Sequence, residues 1–163
     1  MLPARRRFLK AGIVGSAALA IGGAWHLATR AEEIDAVLAA VGTAILAGVL
    51  PDEISARRAA SAELVHGMHR AIAGLSAGAQ AELDQLFGLL ALAPSRILLT
   101  GIWHSWHEVS AAEATRFLAA WRGSPLALLQ SAYAALHDIA LGAWYGDSSH
   151  WAAIGYPGPP SLS

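Results

Sequence analysis

The spacing of apolar residues is helical almost throughout this chain of 163 residues. In the run that precedes Pro51, apolar side chains recur three or four positions apart, at Ile34, Val37, Leu38, Val41, Ile45 and Val49. Such spacing gives a helix one apolar face, and no stretch shows the convincing alternation of a strand. The pattern therefore predicts an all-α fold, a small helical bundle in which plentiful Ala lets the helices approach closely.

The same periodicity, with start and stop signals, predicts further helices near 59–75 and 77–92. Ser110 and Glu113 have the spacing of a capping box, which predicts a helix that begins after Ser110 and ends near Gly123. The last long helix is expected to follow Ser124 and Pro125. Two segments break the helical rhythm, residues 101–110 and residues 144–160.

The N-terminal segment carries a twin-arginine pattern, followed by a weakly apolar run rich in Ala and Gly. Its defining residues are Arg5, Arg6, Phe8, Leu9 and Lys10. This pattern is typical of a twin-arginine (Tat) export signal, and small residues near Ala31 offer a cleavage site. We therefore expect residues 1–31 to be a Tat signal and the protein to be periplasmic. The alternative is an uncleaved membrane anchor, since residues 11–28 approach the ~17–25 residues that span hydrocarbon.

Charge and composition exclude several classes of function. Five of the 11 basic residues precede residue 32, whereas all 12 acidic residues follow it, so residues 32–163 carry a formal net charge of −6. Such a domain repels phosphate backbones, and we expect no nucleic-acid partner. The absence of Cys excludes thiolate-bound zinc, iron–sulfur clusters and covalently attached c-type haem. With 55% hydrophobic and 14% charged residues, the chain is expected to bury apolar surface against another protein.

Two histidine pairs are candidate ligands. His66 and His69 share a helical face with Glu63, but a di-iron bundle needs two Glu-x-x-His pairs and further Glu residues. A solvated polar face explains this group more simply. His104 and His107 stand beside tryptophans, where a noncovalent haem or metal pocket competes with aromatic packing at an interface.

No sequence motif predicts catalysis. The chain contains no nucleophile elbow, Walker loop or dinucleotide fingerprint. Four neighbouring polar residues resemble parts of a triad, but they stand among turn formers, where capping and solvation explain them: Asp147, Ser148, Ser149 and His150. We therefore expect no catalytic, cofactor-binding or metal-binding residue in this chain.

The C-terminal sequence resembles a known family of small subunits. The features that carry the likeness are Trp121-Arg122, Tyr133, Leu136, Trp144-Tyr145-Gly146, Trp151 and the run from Ile154 to Pro160. They are similar to the Tat-signalled subunits of periplasmic FAD-dependent GMC-type dehydrogenases, in the group of gluconate 2-dehydrogenase subunit 3 and the sorbitol dehydrogenase small subunit. The segment 44–52 looks like the helix followed by proline with which the subunits of that group begin. The tail motif is the specific part of the likeness.

The resemblance implies a non-catalytic accessory subunit. In that family a large subunit binds FAD and oxidises an alcohol or sugar, and its electrons commonly pass to a cytochrome c subunit. The small subunit carries the Tat signal through which the translocase exports the folded large subunit. FAD is thus expected in the partner and not in this chain.

The expected organisation has three parts: an export signal over 1–31, a helical bundle over 32–143 and an extended aromatic and Pro-rich tail over 144–163. The tail is expected to bind the partner through Trp144, Tyr145, Trp151, Tyr156, Pro157 and Pro159. An alternative for Trp144 and Trp151 is that they complete the core of the bundle. Two alternative functions stay open, a freestanding haem or metal carrier that uses His104 and His107, and a membrane-anchored structural bundle.

Overall fold

The computed structural model describes residues 29–151 and 155–158, and in them the fold is all-α. Helix α1 occupies residues 29–45 and is followed by α2 (Ile54–Ala73) and α3 (Ala77–Ala91). Helices α4 (Ala93–Thr100), α5 (Ala111–Arg122) and α6 (Ala127–Tyr145) complete the bundle. The described residues contain no strand, so the predicted fold class is confirmed.

Side chains and backbone groups fix the helix ends. The capping box is present as predicted, since the Ser110 side chain accepts from the Glu113 N–H while the Glu113 carboxylate accepts from the Ser110 N–H. Helix α2 begins five residues earlier than expected, because the Glu53 carboxylate accepts from the Ser55 and Ala56 N–H groups. These caps satisfy backbone donors that have no partner within a helix.

Helix α4 is the element that the sequence pattern missed. Pro94 was expected to stop a helix, and α3 does end at Ala91, but a new helix begins at Ala93. Leu92 between them has an extended backbone, with φ −78° and ψ 124°, and Pro94 lies in the first turn of α4. A proline there lacks only an N–H that would be unpaired anyway. The two helices are bent by 96° relative to each other.

Helix α2 packs against α6, and α6 also packs against α5, while α3 packs against α4. Glycines permit close approaches of neighbouring helices. A Cβ added at Gly67 of α2 would stand 3.2 Å from the Cβ of Ala143 on α6, and one added at Gly42 of α1 would stand 2.7 Å from the Leu64 side chain of α2. The core is formed by aliphatic and aromatic side chains of α1, α2, α3, α5, α6 and the 101–110 segment, which include Leu38, Leu64, Met68, Phe87, Leu90, Trp106, Phe117, Trp121 and Leu136.

Tryptophans tie the 101–110 segment and α4 into the core. Trp106 and Trp121 are both buried and both meet the ring of Phe117 edge to face, with centroids 5.8 and 5.4 Å apart. The Trp121 Nε1 donates to the carbonyl oxygen of Leu99, 2.8 Å away. Such T-shaped pairs add to the free energy of area burial.

Two predicted boundaries fall inside helices. Residues 29–31, assigned to the export signal, belong to the described part of α1, where Arg30 forms an ion pair of 2.9 Å with Asp84 of α3. Cleavage after Ala31 would remove that pair. Helix α6 continues through Tyr145, so the first two residues of the 144–163 segment are helical.

Candidate functional site

The C-terminal segment folds back onto the end of α6. The His150 Nδ1 lies 2.9 Å from the Trp144 carbonyl oxygen, and the Trp151 Nε1 lies 2.7 Å from that of Tyr145. Both carbonyls belong to the last turn of α6, where backbone acceptors lack helical partners. The tail therefore caps α6 with two ring N–H donors.

Ring contacts complete this cap. The His150 ring stacks on Trp144 with centroids 3.6 Å apart and an angle of 14° between the planes. Trp151 meets Tyr156 edge to face at 5.2 Å, and the Tyr156 N–H donates to the Trp151 carbonyl oxygen. Gly158, with φ +96°, would place a Cβ 3.4 Å from the Trp151 ring, so a glycine suits both its backbone and its position.

The predicted partner contacts differ in exposure. Trp144 is only 5% exposed, whereas Tyr156 is 45% exposed and Pro157 is also exposed. Tyr145 and Trp151 are half-buried. Trp144 thus belongs to the core of the bundle, which was the alternative expected for it. Tyr156 and Pro157 present their side chains outward. Pro159 and the export residues Arg5, Arg6, Phe8, Leu9 and Lys10 lie outside the described residues.

A polar cleft of about 210 Å³ lies between α2 and the tail. Its lining includes Glu63, His66, Arg70, Asp147, Ser149 and His150. The Ser149 backbone N–H donates a hydrogen bond of 2.9 Å to the Asp147 Oδ1. This bond is the main reason that the pKa of Asp147 is lowered, and the nearby His150 and Arg70 contribute less. Asp147 therefore caps the Ser148–His150 turn as a carboxylate.

These hydrogen bonds are those of a capped turn. In an Asp–His–Ser triad the carboxylate orients the histidine, and the histidine faces the hydroxyl. Here the His150 Nδ1 donates to a backbone carbonyl, and Asp147 accepts from a backbone N–H. The arrangement can bind polar groups in the cleft, and its geometry is not that of nucleophilic catalysis.

Within each histidine pair the two side chains have different nearest partners. His69 contacts Asp35 of α1 at 2.6 Å, and His66 lines the polar cleft. His104 lies 3.6 Å from Glu113, whereas His107 lies 4.0 Å from Glu33. Among the residues that the structure describes, no three or more His, Asp or Glu side chains are grouped to hold a metal ion.

An open groove of about 880 Å³ separates the exposed edges of α1 and α2. Small side chains such as Ala39 and Ala62 form part of its floor, and Arg58, His66 and His69 stand along it. Both signs of charge line this groove, since Glu32 and Asp35 are also present.

Several large apolar side chains are exposed on α3, α4 and the residues next to α4. We call this surface the elbow face and define it by Leu89, Leu92, Leu98 and Trp103, all of them exposed. Leu98 is 85% exposed and Trp103 is 76% exposed. No single described helix is long and apolar enough to cross a membrane, but α3 and α4, taken as one bent pair, meet that criterion by length and composition.

The fold and these surfaces define a small all-α protein with an apolar elbow face and a tail that caps its last helix. A comparison of the chain with protein-family models, curated proteins and solved structures finds no match. The helical class follows from the structure, and the resemblance of the tail to dehydrogenase small subunits stays a prediction from the sequence.

Proposed function

We propose that this protein is a non-catalytic accessory subunit that escorts a folded, FAD-containing GMC-type alcohol or sugar dehydrogenase through the Tat pathway. In the periplasm it stabilises that large subunit. A cytochrome c subunit is a further candidate member of the same complex. The chain itself contributes no catalytic group, and the FAD belongs to the partner.

The elbow face is the observation that carries this proposal. Large apolar side chains such as Leu98 and Trp103, exposed on neighbouring elements, are typical of a surface that a partner protein covers. The twin-arginine pattern and the tail motif support the same role, since they suggest how the complex is exported and which class of enzyme it contains.

The tail supports a structural role for its aromatic residues. Trp144, Trp151 and His150 hold the segment against α6, so the exposed ring of Tyr156 has a fixed position before any partner binds. A preordered segment loses less conformational entropy on docking than a flexible one. Tyrosine is also among the residues that contribute most to binding when they are central in an interface.

Export of the partner tests the proposal. Replacement of both Arg5 and Arg6 by Lys should retain this protein and the flavoenzyme in the cytoplasm, because the flavoenzyme is expected to have no export signal of its own. The measurement is an immunoblot of periplasmic and cytoplasmic fractions with FAD fluorescence of each. A matched control is Arg57→Lys together with Arg58→Lys, a second arginine pair at the start of α2.

If the flavoenzyme still reaches the periplasm in the Arg5 and Arg6 double variant, the escort role is wrong. Two further results separate the alternatives. Metal or haem that co-purifies with the wild-type chain alone would indicate a carrier. Retention of the wild-type chain in the membrane fraction, without a flavoprotein, would indicate an anchored bundle.

A further inference from the structure

The surface around the elbow face exposes no charged side chain. Between residues 86 and 103 the single charged residue is Arg96, which is buried. The exposed residues of that stretch are Leu89, Leu92, Ala93, Pro94, Leu98, Gly101 and Trp103. None of these side chains requires water, so an apolar segment can cover the surface without stripping a charge of its hydration.

Backbone carbonyl groups of the elbow also find partners inside the protein. The Ser95 hydroxyl lies 2.5 Å from the Leu89 carbonyl oxygen and 3.1 Å from that of Leu92. Two indole N–H groups reach further carbonyl oxygens, since Trp106 donates to Leu90 and Trp121 donates to Leu99. Carbonyl groups at a helix end ordinarily need water when no such donor is present. This bend therefore loses little hydrogen bonding when a cover displaces water from it.

The N-terminal segment joins the described part of the chain beside this surface. Helix α1 begins at residue 29, and the Arg30 guanidinium pairs with Asp84 of α3. A Cβ added at Gly88 would stand 3.4 Å from the Arg30 Nη2, so the guanidinium also lies over Gly88. Gly88 immediately precedes Leu89 of the elbow face. Residues 1–28 thus start within a side chain's length of that face.

Residues 11–28 have the length and composition to cover the elbow face. As a helix they would extend ~27 Å, and as an extended chain further, whereas the eight residues of α4 span only ~12 Å. The segment contains no charged residue. Its larger apolar side chains are Ile13, Val14, Leu19, Ile21, Trp25 and Leu27. An apolar segment and an uncharged surface are thus joined at close range in one chain.

Charge and tethering favour this segment over a separate molecule. Residues 1–28 carry four basic residues and no acidic one, whereas residues 29–163 carry seven basic and 12 acidic residues, a formal net charge of −5. Opposite net charges attract the segment to the domain. A short tether also holds it at an effective concentration in the millimolar range, which a free partner seldom reaches.

We propose that residues 11–28 dock on the elbow face of their own chain before export and withhold the export signal from the translocase. The apolar side chains of the segment cover Leu92, Leu98 and Trp103. Arrival of the flavoenzyme on the same face displaces the segment and exposes Arg5 and Arg6, so that only the loaded complex is exported. This displacement rests on the proposed function, whereas the docking concerns this chain alone.

The absence of Cys from the chain allows a single reactive thiol to report the docking. Full-length Leu98→Cys, produced without the flavoenzyme in cells that lack the translocase, is treated with a maleimide in lipid-free buffer. Leu128→Cys is the matched control, since Leu128 is similarly exposed but lies in the first turn of α6. The thiol at position 98 should react at least ~10-fold more slowly than the one at 128. Burial of even one leucine-sized side chain shifts a closed–open equilibrium by about that factor.

Substitutions on both sides of the contact should remove this protection. Leu19→Asp together with Ile21→Asp should restore fast reaction at position 98 and leave position 128 unchanged, because carboxylates disfavour docking on an apolar surface. Reciprocally, Leu19→Cys should be protected, and Leu98→Asp should expose it whereas Leu128→Asp should not. Equal reaction rates at positions 98 and 128 in the otherwise unchanged chain would overturn the inference.

Dilution and lipid identify any other cover of the elbow face. Docking within one chain does not depend on protein concentration. Protection of position 98 that is lost on dilution would indicate a second copy of the chain, and protection that appears only with phosphatidylglycerol vesicles would indicate a membrane surface. Either result would overturn the docking of residues 11–28.

Addition of the flavoenzyme separates failure of this inference from failure of the escort role. Displacement predicts that the thiol of Leu19→Cys becomes reactive as the complex forms, while position 98 stays protected under the flavoenzyme. Protection of both positions in the free chain, with no complex on addition of the flavoenzyme, would retain the docking and reject the escort role. A complex that forms from a free chain fully reactive at position 98 would reject the docking alone.

Discussion

The indole Nε1 of Trp106 donates a hydrogen bond of 2.7 Å to the carbonyl oxygen of Leu90. Leu90 belongs to the last turn of α3, where carbonyl oxygens have no partner within the helix. One buried side chain thus closes the end of α3, packs on Phe117 of α5 and fixes the path of the 101–110 segment.

Trp106→Phe should destabilise the chain. Phenylalanine keeps an aromatic ring in the core but leaves the Leu90 carbonyl buried without a donor, which costs about 1–3 kcal/mol in the free energy of unfolding. Urea denaturation followed by circular dichroism measures this change. Trp103→Phe is the control, since Trp103 is exposed and its replacement should stay within about 0.5 kcal/mol. Equal effects at the two positions would contradict the assignment of Trp106 to the core.

Gly67→Ala should also destabilise the chain, although Ala favours helices. The added Cβ would lie 3.2 Å from the Ala143 Cβ and 3.3 Å from its carbonyl oxygen, so α2 and α6 must separate. We expect a loss of about 1–3 kcal/mol. Gly142→Ala on α6 meets no atom within 4 Å and should stabilise by up to about 1 kcal/mol. Thermal unfolding of both variants measures the contrast, and a stabilising Gly67→Ala would show that the two helices are not in close contact.

Acid should weaken the helix caps. Hydrogen bonds from Ser55, followed by that from the Ala56 N–H, lower the pKa of Glu53 from 4.5 to about 2, and bonds from Ser110 lower the pKa of Glu113. Because both carboxylates titrate lower in the folded state, each cap is weakened as the pH falls. For Glu53 the stabilising effect is complete above pH ~4.5 and is lost as the pH falls toward ~2.

Glu53→Gln is the variant that tests this pH dependence. It should lower the Tm at pH 6, and its difference from wild type should shrink as the pH falls below 4.5. Glu82→Gln, an exposed position on α3, is the control for a general charge effect. A Tm difference for Glu53→Gln that is constant from pH 6 to pH 2.5 would count against the cap.

Tyr156→Ala should weaken the complex with the flavoenzyme and leave the free chain nearly as stable. Truncation of a tyrosine that is central in an interface costs ~2 kcal/mol or more. Trp144→Ala should instead destabilise the free chain by about 3–5 kcal/mol, because Trp144 is buried under His150. Complex yield and the Tm of the free chain, measured together, separate the two effects.

Asp147→Ala and His150→Ala should leave activity per assembled flavin nearly unchanged, since these residues cap a turn and the end of α6. Flavin content and turnover of each purified complex provide the measurement. A large drop in activity per flavin for His150→Ala, with the complex intact, would mean that this chain shares the active site.

The sequence predicted those parts of the fold that depend on local pattern. The Ser110–Glu113 box and the apolar stripes of α2, α3 and α6 are local signals, and each of these helices is present. Helix α4 was missed because Pro94 indicates the end of a helix and the beginning of one equally well. The direction of the chain after Leu92 also depends on distant contacts, such as the hydrogen bond from the Trp121 Nε1 to the Leu99 carbonyl oxygen of α4, which no short window of sequence contains.

The candidate sites were less predictable from the sequence, because they too depend on contacts between distant residues. Exposure is a tertiary property, so the sequence did not show that Trp106 is buried while Trp103 is exposed. The sequence likewise did not indicate that Arg96 of α4 is buried, since an arginine in a short helix is ordinarily solvated. The tail motif was visible as a cluster of aromatic and proline residues, but its hydrogen bonds to Trp144 and Tyr145 depend on the end of α6.

The contact between Gly67 and Ala143 also sets the order in which the protein can assemble during synthesis. The two residues lie 76 positions apart, so α2 leaves the ribosome long before the helix that covers one of its faces. At ~5–20 residues per second, the wait lasts several seconds, far longer than a helix needs to form. Until α6 arrives, the nascent chain exposes the α2 face around Gly67, and chaperones that bind apolar segments have time to act on it.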